Sequence, residues 1–159
     1  DRMSRIVSDL LTMAKSERPD FVRPRPVDAA ELLLDIESQA QQLGDRRWEL
    51  VEIAEGEASV DPQRITQAVL QLASNAVTHT EVGDRIPGIA PEDAEGIFRR
   101  FDRGTAGTSG SGGAGLGLAI VTAIATAHGG TVTLDSTPGH GATFAVDIPV
   151  PDRPQEAQP

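Results

Sequence analysis

Gly113-Ala114-Gly115-Leu116-Gly117-Leu118-Ala119-Ile120-Val121 closes a Ser/Gly-rich loop and runs straight into an apolar segment with helical character. Glycines let a backbone approach a ligand with no Cβ in the way. The first N–H groups of the following helix point at whatever lies there, and that end of a helix favours anions. A phosphate is the natural guest. Taken alone such a run is equally compatible with a linker, so its meaning depends on what surrounds it.

Upstream lies Asp61-Pro62-Gln63-Arg64-Ile65-Thr66-Gln67-Ala68-Val69-Leu70-Gln71-Leu72-Ala73-Ser74-Asn75-Ala76-Val77-Thr78-His79-Thr80. Asp as cap and Pro at the first helical position make a good helix start. Ile65, Val69, Leu72, Ala73 and Ala76 recur at helical spacing, which leaves Gln71, Asn75 and Thr78 together on another face. Between the two segments come Pro87-Gly88-Ile89-Ala90-Pro91-Glu92 and Ile97-Phe98-Arg99-Arg100-Phe101-Asp102-Arg103-Gly104.

In this order the segments resemble the ATP-binding domain of bacterial sensor histidine kinases, within the wider superfamily of gyrase, heat-shock chaperone and mismatch-repair ATPases. Asn75 matches the N box, Phe98 to Phe101 the F box, and Gly113 to Gly117 the second glycine box. Gly139-His140-Gly141-Ala142-Thr143-Phe144 resembles the closing strand element. The resemblance covers Arg2 to about Pro149. It implies an α+β fold: a two-layer α/β sandwich of the Bergerat ATP-binding type, its mixed sheet covered on one face by helices and preceded by an N-terminal helix.

Composition fits one globular unit. A chain of 159 residues buries a real core. The absence of cysteine excludes disulfides and thiolate metal sites. No apolar run approaches the roughly 20 residues that span a bilayer, and no signal-peptide pattern is present, so a cytoplasmic location with no direct membrane span is expected. The net charge of −10 argues against a nucleic-acid partner, whose phosphates call for a basic face. It also requires any ATP site to be locally positive.

Along the chain, residues 1–18 read as the end of an amphipathic helix with Met3, Ile6, Val7, Leu10, Leu11 and Met13 or Ala14 on one stripe. By resemblance this is the second helix of the dimerisation and phosphoacceptor hairpin, which implies a homodimer; the plainer reading is a helix that covers the domain's own core. Residues 19–27 contain three prolines and read as a stiff linker. Residues 28–150 form the ATP-binding domain, and 151–159 a disordered tail. Within the domain, Asp28 caps a helix to about Leu43 that stops at Gly44. Trp48–Ile53 alternates like a strand that pairs with Glu57–Val60. Short helix Pro91–Phe101 precedes the ATP lid, Asp102–Gly112. Leu116–His128 is a helix, and Thr131–Asp135 with Ala142–Ile148 a closing antiparallel pair.

The phosphoacceptor His of the family sits in a His-Glu/Asp-Leu-Arg type motif. None of His79, His128 and His140 has that context. The acceptor is therefore expected outside this chain, in a split kinase or in the rest of a longer one. His128 before Gly129-Gly130 suits a helix C-terminus, and His140 a turn.

The resemblance makes ATP and Mg²⁺ the cofactors. Magnesium takes hard oxygen ligands and bridges phosphates. Asn75 supplies such an oxygen, and Gln71, where sensor kinases commonly have Asn, offers another from one methylene further out. Nucleotide contacts are expected from Gln71, Asn75, His79, Gly113, Gly115, Leu116, Gly117, Leu118 and Thr143. Asn75, Arg99 and Arg103 are the catalytic candidates, with Arg100 a further cation near the lid. The hydrolysing relatives place Glu at position 71 as the base; Gln accepts no proton, so efficient ATP hydrolysis is not expected. Thr78 replaces a common Lys or Arg.

The largest departure lies between Thr80 and Pro87-Gly88-Ile89. Sensor kinases carry two strands here, ending in Asp-x-Gly-x-Gly, whose Asp holds the adenine amino group. Only Glu81-Val82-Gly83-Asp84-Arg85-Ile86-Pro87 separates Thr80 from Gly88, too little for a hairpin of two strands of about five residues each. Losing two strands exposes apolar surface and unpaired edges, which weighs against a real deletion. Two functions follow. One is the catalytic module of a two-component sensor histidine kinase, which passes the ATP γ-phosphoryl group to a His outside this chain and works with a response regulator. The other is a degenerate, non-catalytic interaction module that binds a kinase or response regulator.

Overall fold

Asp61 works as the expected cap. Its Oδ1 accepts from the backbone N–H of Gln63 at 3.1 Å and of Arg64 at 3.2 Å, and Pro62 opens the helix that runs to His79. The computed structural model describes residues 2–79, 89, 94, 96–99, 115–137 and 139–149. Over these, the order is α1 Arg2–Lys15, β1 Arg25–Asp28, α2 Ala29–Ala40, β2 Glu57–Val60, α3 Pro62–His79, a 3-10 turn Gly96–Phe98, α4 Gly117–Ala127, β3 Thr131–Thr137 and β4 Gly141–Asp147. The class is α+β. The described strands form two antiparallel pairs, β1–β2 with Arg25 opposite Val60, and β3–β4 with Thr131 opposite Asp147.

Three expectations need correction. The proline-rich stretch does not stay a linker up to residue 27: Arg25–Asp28 pairs with Glu57–Val60. A two-stranded pair leaves outer edges on which Pro26, lacking an N–H, is tolerated. Trp48–Ile53, expected to pair with Glu57–Val60, has no strand structure, and Val51 is 82% and Ile53 44% exposed. Alternation specifies which side chains share a face; it does not supply a neighbour, and an extended segment without one gains no ladder hydrogen bonds. Helix α2 starts on the Asp28 cap, whose Oδ1 accepts from Glu31 N–H at 2.9 Å. It ends at Ala40 rather than Leu43, because Gln42 and Leu43 bond three residues back, to Gln39 and Ala40, and tighten the last turn.

The core is built around α4. Ile120, Val121, Ile124 and Ala125 are fully buried, Leu116 nearly so, and Ala68 of α3, Met13 of α1 and Phe21 close over them. Val132 and Val146 of the hairpin pack against the same cluster. The helix finishes in a Schellman arrangement: Gly130 N–H donates to Ala125 O, Gly129 N–H to Thr126 O, and Gly129 adopts φ 75°. His128, expected only to suit the helix C-terminus, also ties α4 to α3. Its Nδ1 lies 2.8 Å from Ile124 O, and its Nε2 accepts the Asp61 N–H at 3.0 Å, which makes Nδ1 the protonated nitrogen.

Directly after that cap, Gly130 carries its α-hydrogens against backbone. A Cβ there would collide with the Asp147 carbonyl oxygen and lie 3.0 Å from its carbon. Backbone cannot swing aside, so Gly130→Ala is expected to cost about 2 kcal/mol by overpacking, measured as a lower urea midpoint with an unchanged slope.

Helix α1 touches this body only through its last turns. Thr12 and Met13 are buried, while Met3, Val7, Leu10 and Leu11 are 75%, 50%, 44% and 55% exposed. Of the apolar stripe, Met13 joins the core cluster, while Met3, Val7, Leu10 and Leu11 stay open to solvent. No helix among the described residues is long and apolar enough to cross a membrane.

Candidate functional site

Along α3, Gln71, Asn75 and Thr78 fall at helical intervals on one face. Ala68 and Leu72 on another face seat the helix against α4, and this brings Gln71 over the first residue of α4. A Cβ on Gly117 would lie 3.2 Å from both Cγ and Cδ of Gln71, and closer still to Nε2. Only glycine lets the two helices approach this way with Gln71 in its present rotamer. Gly115, two residues earlier, has φ 71°, in the left-handed region that favours glycine. Leu116 occupies the cap position with φ −100° and offers no side-chain cap, and α4 has no acidic residue in its first turn. An anion approaching this helix start meets no carboxylate in the first turn and, among the described residues, no side chain bonded to its N–H groups.

Gln71 and Asn75 are half-buried, and neither amide hydrogen-bonds to any described residue. Two amide oxygens one helical turn apart, half shielded from water, are hard donors of the kind a magnesium ion takes. Thr78 is differently placed: its hydroxyl donates back to Ser74 O at 2.8 Å. His79, the last residue of α3, is exposed.

The structure seats Gln71 on Gly117; Asn75 stands one turn further along α3, and Gly115, Leu116 and Leu118 flank Gly117 in the chain. Thr143 is exposed on β4, on the face opposite the half-buried Phe144 and Val146. Arg99 is exposed just after the 3-10 turn, its N–H bonded to Gly96 O at 2.8 Å. Arg103, Gly113, Arg100 and the lid, like the segment Thr80–Pro87, lie outside the described residues. Phe98 anchors the turn edge-on against Phe144, with ring centroids 6.2 Å apart and an interplanar angle of 80°. Ile89 N–H is fixed to Ser136 Oγ at 2.8 Å, which itself donates to Gly141 O. The sequence motifs predicted the glycines and the amides separately. The resemblance puts both around one nucleotide; the direct seat of Gln71 on Gly117 is a contact between residues 46 positions apart, which no local pattern encodes.

The model of the histidine kinase-, DNA gyrase B-, and HSP90-like ATPase family matches residues 60–152. The chain belongs to this family. Among curated proteins, this histidine kinase-like domain is 34% identical to the probable sensor histidine kinase TcrY of Mycobacterium tuberculosis, over 100% of the chain and 38% of the relative. It thus spans a little over a third of that protein's length. The alignment runs over 186 positions, more than the 159 residues of the chain, so the relative holds residues with no counterpart here. Among solved structures, full-length ShkA in complex with AMPPNP is 28% identical, with a TM-score of 0.68 over 91% of this chain and 36% of that one. The ATP-binding domain of PrrB from Mycobacterium tuberculosis, 24% identical with a TM-score of 0.62, shares the fold over 81% of this chain and 98% of its own.

Proposed function

We propose that this chain is the ATP-binding catalytic module of a two-component sensor histidine kinase. The observation that carries the reading is the seating of Gln71 on Gly117, which sets two unpartnered amides beside an uncapped glycine helix start. In this reading the backbone N–H groups from Gly115 to Leu118 hold the phosphates, helped by Gly113. Asn75 and Gln71 hold Mg²⁺, which when bound would neutralise phosphate charge. His79 and Thr143 complete the nucleotide contacts. Arg99 and Arg103 supply positive charge near the γ-phosphoryl group. Catalysis of this kind is mainly positioning and charge compensation. The acceptor is a His on another segment or protein, a response regulator acts downstream, and α1 offers a surface for a homodimer. The module works in the cytoplasm.

Calorimetric titration of ATP with and without Mg²⁺ tests the reading. Binding that depends on Mg²⁺ is expected; no binding at millimolar ATP to folded protein would overturn it. The second reading, a non-catalytic interaction module, is favoured by the Trp48–Ile53 segment, which pairs with no strand among the described residues, and by the relative's extra residues, which we infer to fall at Thr80–Pro87.

Gly117→Ala separates folding from binding at this site. The atom in the way is the end of a flexible side chain, so Gln71 swings aside, and alanine is the better helix former. Thermal stability is expected to stay within about 1 kcal/mol of the parent, while Mg²⁺-dependent ATP affinity falls as Gln71 leaves its place.

A further inference from the structure

A cleft of about 310 Å³ opens where the C-terminal end of α1 and the turn after it face the start of α3. Four cations line it, Lys15, Arg18, Arg23 and Arg64, against two carboxylates, Asp20 and Asp61, on a chain whose net charge is −10. Neither carboxylate makes a close ion pair with the cluster, which keeps two cations in excess. Asp61 has both oxygens taken by backbone N–H groups, Oδ1 by Gln63 and Arg64 and Oδ2 by Arg23 at 2.9 Å. Asp20 makes only a loose, exposed pair with Arg23 at 3.9 Å.

Arg64 is held rigidly. Its guanidinium stacks 4.3 Å above the Phe21 ring, Nε donates to Phe21 O at 3.1 Å and Nη1 to Gln67 Oε1 at 2.9 Å. That leaves Nη2 with no hydrogen-bond partner among the described residues. Lys15 and Arg18 form no ion pair among the described residues either. Unsatisfied donors thus face one cleft from α1, from the following turn and from α3. Guanidinium forks and an ammonium arriving from separate directions suit an anion with three or more oxygens better than a carboxylate with two.

We propose that this cleft binds a phosphate group and, by bridging Lys15 and Arg18 to Arg64, fastens α1 to the body of the domain. It is separate from the nucleotide neighbourhood: Asp61 and Asn75 stand 14 residues apart, about 21 Å along α3. The phosphate comes either as a free compound or on a phosphorylated side chain of another protein.

The experiment is a calorimetric titration with inorganic pyrophosphate, and separately with a phosphoserine peptide, in EDTA at physiological salt. It uses the parent chain and the Lys15→Gln/Arg18→Gln double variant. Binding to the parent, weakened at least about tenfold in the double variant, is expected. Bound anion should also slow amide exchange across Leu10–Lys15. Tighter binding of the peptide or of pyrophosphate identifies the source. Both exposed side chains can be replaced without unfolding, which the urea midpoint checks. Equal affinity in the double variant, or no binding of either probe to the parent, would overturn the proposal.

Discussion

Ile120→Ala is expected to lower the unfolding free energy by about 4 kcal/mol, read from urea denaturation with an unchanged slope. Ile120 is fully buried, at the centre of a cluster to which α1, α3, α4 and the segment at Phe21 all contribute. The removed methylene and methyl groups lose their transfer free energy, and the neighbours cannot collapse into the space because α4 is held at both ends. At one end Gln71 lies on Gly117; at the other His128 and the Schellman turn fix the exit. A loss of this size is a large fraction of the 5–15 kcal/mol typical of a domain. The chain also has few large residues to compensate: 4 Phe and 1 Trp in 159 residues, with no Tyr. If the loss were under about 1 kcal/mol, α4 would not be the centre of the core.

The same features explain what was legible in the sequence. Helix starts were legible because they are local: Asp28 and Asp61 each satisfy N–H groups two or three residues ahead. The end of α4 was equally readable, since Gly129 at φ 75° is a requirement of one residue's backbone. Strand pairing was not. Trp48–Ile53 has the period of a strand, yet Glu57–Val60 pairs across 29 to 35 positions with Arg25–Asp28. For the candidate site, Asn75, Gln71 and the glycines were readable as chemical types at fixed spacing. The seat of Gln71, the clamp of His128 on Asp61 and the stacking of Arg64 on Phe21 are long-range contacts that periodicity does not encode.

Asn75→Ala is expected to weaken Mg²⁺-dependent ATP binding about 100-fold, close to 2.8 kcal/mol, while leaving the urea midpoint unchanged or slightly raised. The two halves of this expectation have separate causes. Asn75 is half-buried on α3 and bonds to no described residue, so its removal breaks no internal hydrogen bond, and alanine favours the helix. Its amide oxygen is the part that matters under the proposed function. A magnesium ion held by one or two protein oxygens loses much of its protein anchorage when one is removed. In EDTA the parent and Asn75→Ala should bind ATP with equal, weak affinity, because the backbone N–H groups at the start of α4 are untouched. Asn75→Asp sharpens the distinction: it keeps an oxygen at the same place but adds a negative charge beside the phosphates. It should bind ATP more weakly than the parent in EDTA and recover part of the difference in Mg²⁺, whereas Asn75→Ala recovers none. Equal Mg²⁺ enhancement in all three proteins would move the metal away from α3 and leave Gln71 and Asn75 as surface amides.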